Sequence, residues 1–246
     1  MKKLILFLAL SIALFAKTQT LVLGAGCFWG VEKYFENLEG VKEATSGYAG
    51  GSYTNPTYET VLKYKNSQKD IINHNEVVKI VYDDTKISTL KLIKSFWELH
   101  NPTQGNRQGN DRGNNYRSAI YYESNAQKDI ALETKEVYQK LLTKAGYGEI
   151  TTEIKPLDVF YPAETYHQDY LKKNPLGYCP NHATGVKFDS EKTLVDVITP
   201  LKGKEIIVID ALNCVFCEKF KADVTDHYNG TISLRTTKEE SLKGFD

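Results

Sequence analysis

The sequence predicts a two-layer α+β sandwich. Strand-like and helix-like patterns alternate along the chain without the regular spacing of a repeated βα unit. No internal repeat is visible. With 246 residues, 41% of them hydrophobic and 25% charged, the chain can bury a sizeable core. Lys+Arg and Asp+Glu balance at 31 each, so bulk charge argues for neither nucleic acid nor an anionic membrane as partner.

Residues 1–16 stand apart. Lys2 and Lys3 precede the apolar run LILFLALSIALFA, which ends in Ala16. A basic start, a short apolar stretch and a small residue at the end are the marks of a secretory signal peptide. An uncleaved anchor is the alternative. Export to a periplasm is the expected localisation. Met1 is the only methionine, so a cleaved chain would contain none.

Residues 17–191 are expected to form the main domain. LVLGAG (21–26) reads as a buried strand ending in a tight turn. In VEKYFENLEG (31–40), Val31, Phe35 and Leu38 share a helical face, with Gly40 as the stop. HNEVVKIVYDD (74–84) alternates like a strand. Leu90, Ile93 and Trp97 mark a helix over 88–100. The stretch 101–116, NPTQGNRQGNDRGNNY, is nearly free of aliphatics and reads as a long loop, a length that is usually functional. RSAIYYES (117–124) is a strand. Ser124 and Gln127 form a capping-box pattern for a helix over 125–145, closed by Gly146. Residues 149–163 are extended, and PLGYCPNH (175–182) is turn-rich. A new unit is predicted from 192 to 246: KEIIVIDA (204–211) is a buried strand, continuing through NCVFCEKFKADV into a helix.

Four cysteines offer chemistry: Cys27, Cys179, Cys214 and Cys217. Two structural disulfides are the plain reading for an exported protein. The surroundings of Cys27 suggest otherwise. GAGCFWG (24–30) places a thiol at the N-terminal end of a predicted helix, where unpaired N–H groups and the helix dipole favour a thiolate. Phe28 and Trp29 add an apolar surface beside the sulfur. Gly26 and Gly30 permit tight turning and close approach of a small substrate. The combination suits a small apolar group carrying a polar, reactive atom. A dinucleotide fingerprint fits poorly, because the third glycine falls one place late and Trp29 sits where a small residue is needed. An inert cysteine in an aromatic core is the other reading.

GCFWG, SGYAGG (46–51), NPTYE (55–59), FWELHNPTQGNRQGNDRGNNYRSAIYY (96–122) and YHQDYLKKNPLGYC (166–179) occur in family order. On these motifs residues 21–188 resemble the A-type peptide methionine sulfoxide reductases. The resemblance implies a ferredoxin-like α/β plait with long loops, and reduction of peptide or single methionine S-sulfoxide to methionine in repair after oxidative damage. It implies Cys27 as nucleophile, Phe28 and Trp29 around the substrate methyl group, Glu76 as acid, Tyr58 and Tyr116 on the sulfoxide oxygen, and Asp111 as organiser. Cys179 would resolve the sulfenic acid as a redox-active disulfide with Cys27. No bound cofactor or metal is implied, only an external thiol reductant: a thioredoxin-like protein or a dithiol. The expected state is a monomer, touching a membrane only through an uncleaved signal peptide. Three features depart from the usual pattern. The stretch between Tyr58 and Glu76 is long, Asn73 replaces the glycine of Gly-His-x-Glu, and no third cysteine follows GYC. Glu59 is a second acid in that region.

Cys214-Val-Phe-Cys217 after a buried strand resembles a thioredoxin-like redox motif. The remaining chain is short for a whole fold of that kind, and Pro200 is its last proline. A partial thioredoxin-like segment is therefore expected. Zinc or a structural disulfide are the alternatives. The rival for the whole protein is a periplasmic thiol–disulfide oxidoreductase working through Cys214 and Cys217.

Overall fold

A computed structural model of the chain describes residues 18–67, 71–178, 180, 182–188 and the two strands at 205–210 and 233–238. Residues 1–17, and with them the signal-peptide reading, lie outside the described residues, as do Cys179, Cys214 and Cys217. The chain divides into two compact units, Met1–Lys187 and Phe188–Asp246.

The first unit runs β1 (Thr18–Ala25), α1 (Phe28–Glu36), β2 (Val41–Ala49), α2 (Tyr58–Lys63), β3 (Asn75–Asp83) and α3 (Thr89–Leu99). It continues with β4 (Arg107–Gln108), β5 (Asp111–Arg112), a 3-10 turn over Asn114–Tyr116, β6 (Ser118–Tyr122), α4 (Asn125–Lys144), β7 (Glu153–Pro156), β8 (Phe160–Pro162) and α5 (Tyr170–Lys173). Six strands form one mixed sheet in the order β7-β6-β1-β3-β2-β8. All neighbours are antiparallel except β6 and β7. In the second unit β9 (Glu205–Asp210) and β10 (Ser233–Lys238) pair in parallel.

Both faces of the central strands are covered, which is why Leu21, Val22 and Leu23 are all fully buried. On one face Val22, Ala49, Val77, Ala119 and Tyr121 cluster, with Leu157 and Phe160 packed against them. Strand alternation sends Leu21, Leu23, Val78, Ile80 and Ile120 to the other face. There they meet helices whose apolar stripes are also buried: Phe28, Val31 and Phe35 of α1, and Leu92, Ile93 and Phe96 of α3.

The boundaries largely follow their capping chemistry. Ser88 Oγ accepts from Lys91 N at 3.2 Å to start α3. Ser124 Oγ accepts from Gln127 N at 3.3 Å to start α4. The reciprocal bond differs from the expected capping box: Gln127 Oε1 takes the N–H of Glu123 at 2.8 Å, one residue early. Gln127 Nε2 also donates to Thr20 O, tying the helix to β1.

The expected loop over 101–116 holds its own structure. Gln108, fully buried, accepts from Asn101 N and donates to Asn101 O through one amide, closing the 101–108 loop and tying β4 back to the end of α3. The helix expected over 31–40 begins earlier, at Phe28, so Cys27 is its N-cap residue.

Candidate active site

The site is built where β1 turns into α1. Gly26 makes that turn with φ of 94°, a conformation costly for other residues. A Cβ there would also sit 2.8 Å from the Gln108 side chain. Cys27 follows at once, half-buried, a thiol at the helix N-cap.

Glu76 lies on β3 opposite Tyr48 of β2 and is 1% exposed. Its Oε2 accepts the N–H of Phe28, the first residue of α1, at 3.3 Å. Its Oε1 accepts from Asn115 Nδ2 at 3.2 Å. Burial pushes its pKa up from the ordinary 4.5 to about 8; the two hydrogen bonds oppose that shift and the charge of Asp111 adds to it. At neutral pH Glu76 is therefore a protonated acid, next to the helix end that holds the thiol. Glu59, the other acid in this stretch, is exposed on α2. Asn73, the departure from the glycine pattern, donates to Val61 O at 2.9 Å and to Asn114 Oδ1 at 2.7 Å. It binds the long 58–76 connection to the 3-10 turn.

Tyr58 opens α2 and Tyr116 closes the 3-10 turn. Burial raises the pKa of Tyr58 to about 12, and the nearby charges of Glu76 and Cys27 add to it. Burial raises Tyr116 further, and the ionised forms of Glu76 and Tyr58 would add to that shift. Neither phenol titrates near neutrality, so both are permanent donors. Asp111 accepts from Tyr178 Oη at 3.3 Å through Oδ1. Its Oδ2 faces His182 Nε2 at 3.8 Å.

The two rings after the cysteine differ. Phe28 is buried, with its ring centroid 5.9 Å from Tyr48 and 4.9 Å from His167. Trp29 is half-buried and stacks on Tyr170 at 3.7 Å and 13°. Its indole Nε1–H donates to His167 Nδ1 at 3.1 Å. An imidazole accepting at Nδ1 holds its proton on Nε2, which faces Glu164 Oε2 at 3.9 Å. Burial lowers the pKa of His167, keeping it neutral and able to accept, although Glu164 opposes the shift. Glu164 in turn accepts from Tyr48 Oη at 2.9 Å and from the backbone N–H of Tyr58 at 2.8 Å.

The structure thus brings Cys27, Phe28, Trp29, Tyr58, Glu76, Tyr116 and Asp111 together. Sequence reasoning missed Asn115, Glu164 and His167. The Glu164-x-x-His167 spacing preceding Tyr170 was the available signal for two of them. Among the described residues no cluster of three His, Cys, Asp or Glu side chains could hold a metal ion. No helix among them is long and apolar enough to cross a membrane.

Comparisons with known proteins converge. The family model for peptide methionine sulfoxide reductase matches residues 19–195. A relative from Vibrio cholerae, peptide methionine sulfoxide reductase MsrA, is 49% identical over 176 residues, 72% of this chain and 80% of its own. The human mitochondrial peptide methionine sulfoxide reductase is 52% identical over 169 residues, 69% of each chain. Among solved structures, methionine sulfoxide reductase A of Corynebacterium diphtheriae superposes with a TM-score of 0.62 at 46% identity, covering 69% of this chain and 81% of that one. Mxr1 from Saccharomyces cerevisiae in reduced form gives a TM-score of 0.59 at 33% identity, with 70% and 93% covered.

Proposed function

The chain belongs to the peptide methionine sulfoxide reductase family and is an oxidoreductase acting on methionine sulfoxide; from that premise we propose how its own residues divide the work. The observation that carries the reading is the fully buried Glu76 carboxyl, its pKa raised by that burial, bonded to the first N–H of the helix capped by Cys27.

The Cys27 sulfur attacks the electrophilic sulfoxide sulfur. Glu76 gives its proton to the sulfoxide oxygen as charge builds there, while Tyr58 and Tyr116 donate hydrogen bonds to the same atom. The sulfur–oxygen bond and the transient sulfur–sulfur bond to Cys27 then break as the protonated oxygen moves to the Cys27 sulfur, leaving a sulfenic acid there and releasing the thioether as methionine. Trp29, held by His167 and Tyr170, forms the apolar wall for the substrate methyl group, with Phe28 packed beside it. Asp111 keeps the hairpin against Tyr178. Cys179, one residue beyond Tyr178, is the resolving thiol: it condenses with the sulfenic acid, forms a disulfide with Cys27 and releases water. A thioredoxin-like protein or a dithiol then returns both thiols.

The order β6-β1-β3-β2, with α1 and α3 as crossovers, supports reading the core as a ferredoxin-like plait. We read residues 1–16 as an export signal to a periplasm, on the strength of Lys2, Lys3 and the apolar run. Cys214 and Cys217 follow β9 closely, which supports a partial thioredoxin-like tail.

The test is turnover of separated methionine sulfoxide epimers with a dithiol. The S epimer is expected to be reduced and the R epimer left untouched. Equal turnover of both would contradict the A-type assignment.

A further inference from the structure

A polar cleft is built from the same chain segments that carry Tyr58 and Asn115. It holds about 190 Å³ and is lined by Lys65, Ser67, Asn106, Arg107, Arg112 and Asn114, with Gly113 and Asn66. Three of these residues are cations. Among the described residues none of the three forms an ion pair with a carboxylate. Arg107 donates from one guanidinium nitrogen to Gly109 O at 2.9 Å, but its buried Nε has no hydrogen-bond partner. Asp111, the acid on the same hairpin, is turned toward Tyr178 and His182. Positive charge converging on a cleft with no counter-charge among the described residues favours an anionic ligand. The chain as a whole is neutral, so this potential is local.

The cleft is rigidly built. Asn114 N donates to Lys65 O at 2.8 Å, and Asn114 Nδ2 reaches Tyr64 O and Ser67 O. Gly113 N donates to Asn106 O at 3.0 Å. Its walls are continuations of the active-site elements. Lys65 lies just past the end of α2, which begins at Tyr58, and Asn114 is followed by Asn115, the donor to Glu76. A helix of that length spans about 10 Å, which an extended peptide covers in about three residues.

Resting on the reductase reading above, we propose that this cleft is a substrate subsite: it takes an anionic side chain, carboxylate or phosphate, lying about three residues from the oxidised methionine of a polypeptide. Acidic flanking sequence is then preferred, while a substrate consisting of one methionine sulfoxide does not use the cleft.

The test compares matched peptides carrying Glu or Lys three positions to either side of methionine sulfoxide, with N-acetyl methionine sulfoxide as the small substrate. The native protein is expected to show kcat/KM roughly five- to tenfold higher for the better Glu peptide, chiefly through KM, as one or two partly screened charge contacts allow. Lys65→Glu with Arg112→Glu should abolish or invert that preference, and Arg112→Gln alone should weaken it. Small-substrate turnover should be unchanged in all three proteins. Inorganic phosphate should inhibit the Glu peptide and spare the small substrate. Equal preference in the native and substituted proteins overturns the subsite. So does phosphate inhibition without any peptide preference, which would mark a site for inorganic anions. Failure of the native protein on the small substrate would instead strike the reductase reading itself.

Discussion

Glu76→Gln is expected to slow sulfoxide reduction by roughly 100- to 10,000-fold, the usual range for loss of a general acid. The amide keeps the size of the side chain and can still accept from Phe28 N, so the helix end and the fold should survive. What it lacks is a transferable proton. The native protein should also lose activity as pH rises through about 8, where the buried Glu76 ionises. That alkaline limb should be absent from the residual rate of Glu76→Gln, measured in single turnover on a small methyl sulfoxide. A limb of the same position in the variant would assign it to another group. Stability follows with a definite sign. The folded-state pKa of Glu76 is raised, so its contribution is fully present below about 4.5 and is lost as pH rises through about 8. Glu76→Gln has no such charge to bury. Its melting temperature should therefore match or exceed that of the native protein at pH 9, although it is catalytically impaired.

Cys27→Ser is expected to remove turnover to the detection limit with any reductant. A serine hydroxyl at this position is not ionised near neutrality, and the N-cap placement that favours a thiolate cannot make it a comparable nucleophile. Serine is itself a good N-cap residue, so the helix should be at least as well capped and thermal unfolding little changed. Cys214→Ser with Cys217→Ser provides the contrast. If the tail acts only in recycling, the doubly substituted protein should retain the first, sulfoxide-reducing step. Loss of that step in the tail variant, with Cys27→Ser still active, would favour the rival thiol–disulfide oxidoreductase.

The sequence made the strongly patterned parts of the fold legible. β1, β3, β6, α3 and α4 follow from apolar period and caps. β2 did not, because its first half is polar and partly exposed, and its buried half is Ser46, Gly47, Tyr48 and Ala49, too small and mixed to alternate. It is a strand because β3 and β8 flank it, which is information from distant chain. α2 is only six residues long, and its evidence lay in the Thr57–Thr60 capping box after Pro56. The 101–116 segment lacked aliphatics because polar side chains, above all the buried Gln108 bonded to Asn101, hold its loop together.

The site was legible residue by residue through its motifs, but its supports were not. Nothing local to Glu76 says that it is buried; that follows from its place between Phe28 and Asn115. Likewise His167 looks like one histidine among five until β8 and α5 bring it under Trp29.

The most direct test is mass spectrometry of the full chain after exposure to a methyl sulfoxide peptide with no reductant present. The account predicts about one methionine formed per protein and the loss of two hydrogens, localised to a bridge between the peptides of Cys27 and Cys179. Methionine formed with the Cys27 thiol still reduced and unmodified, or with the only new bridge between Cys214 and Cys217, would contradict it.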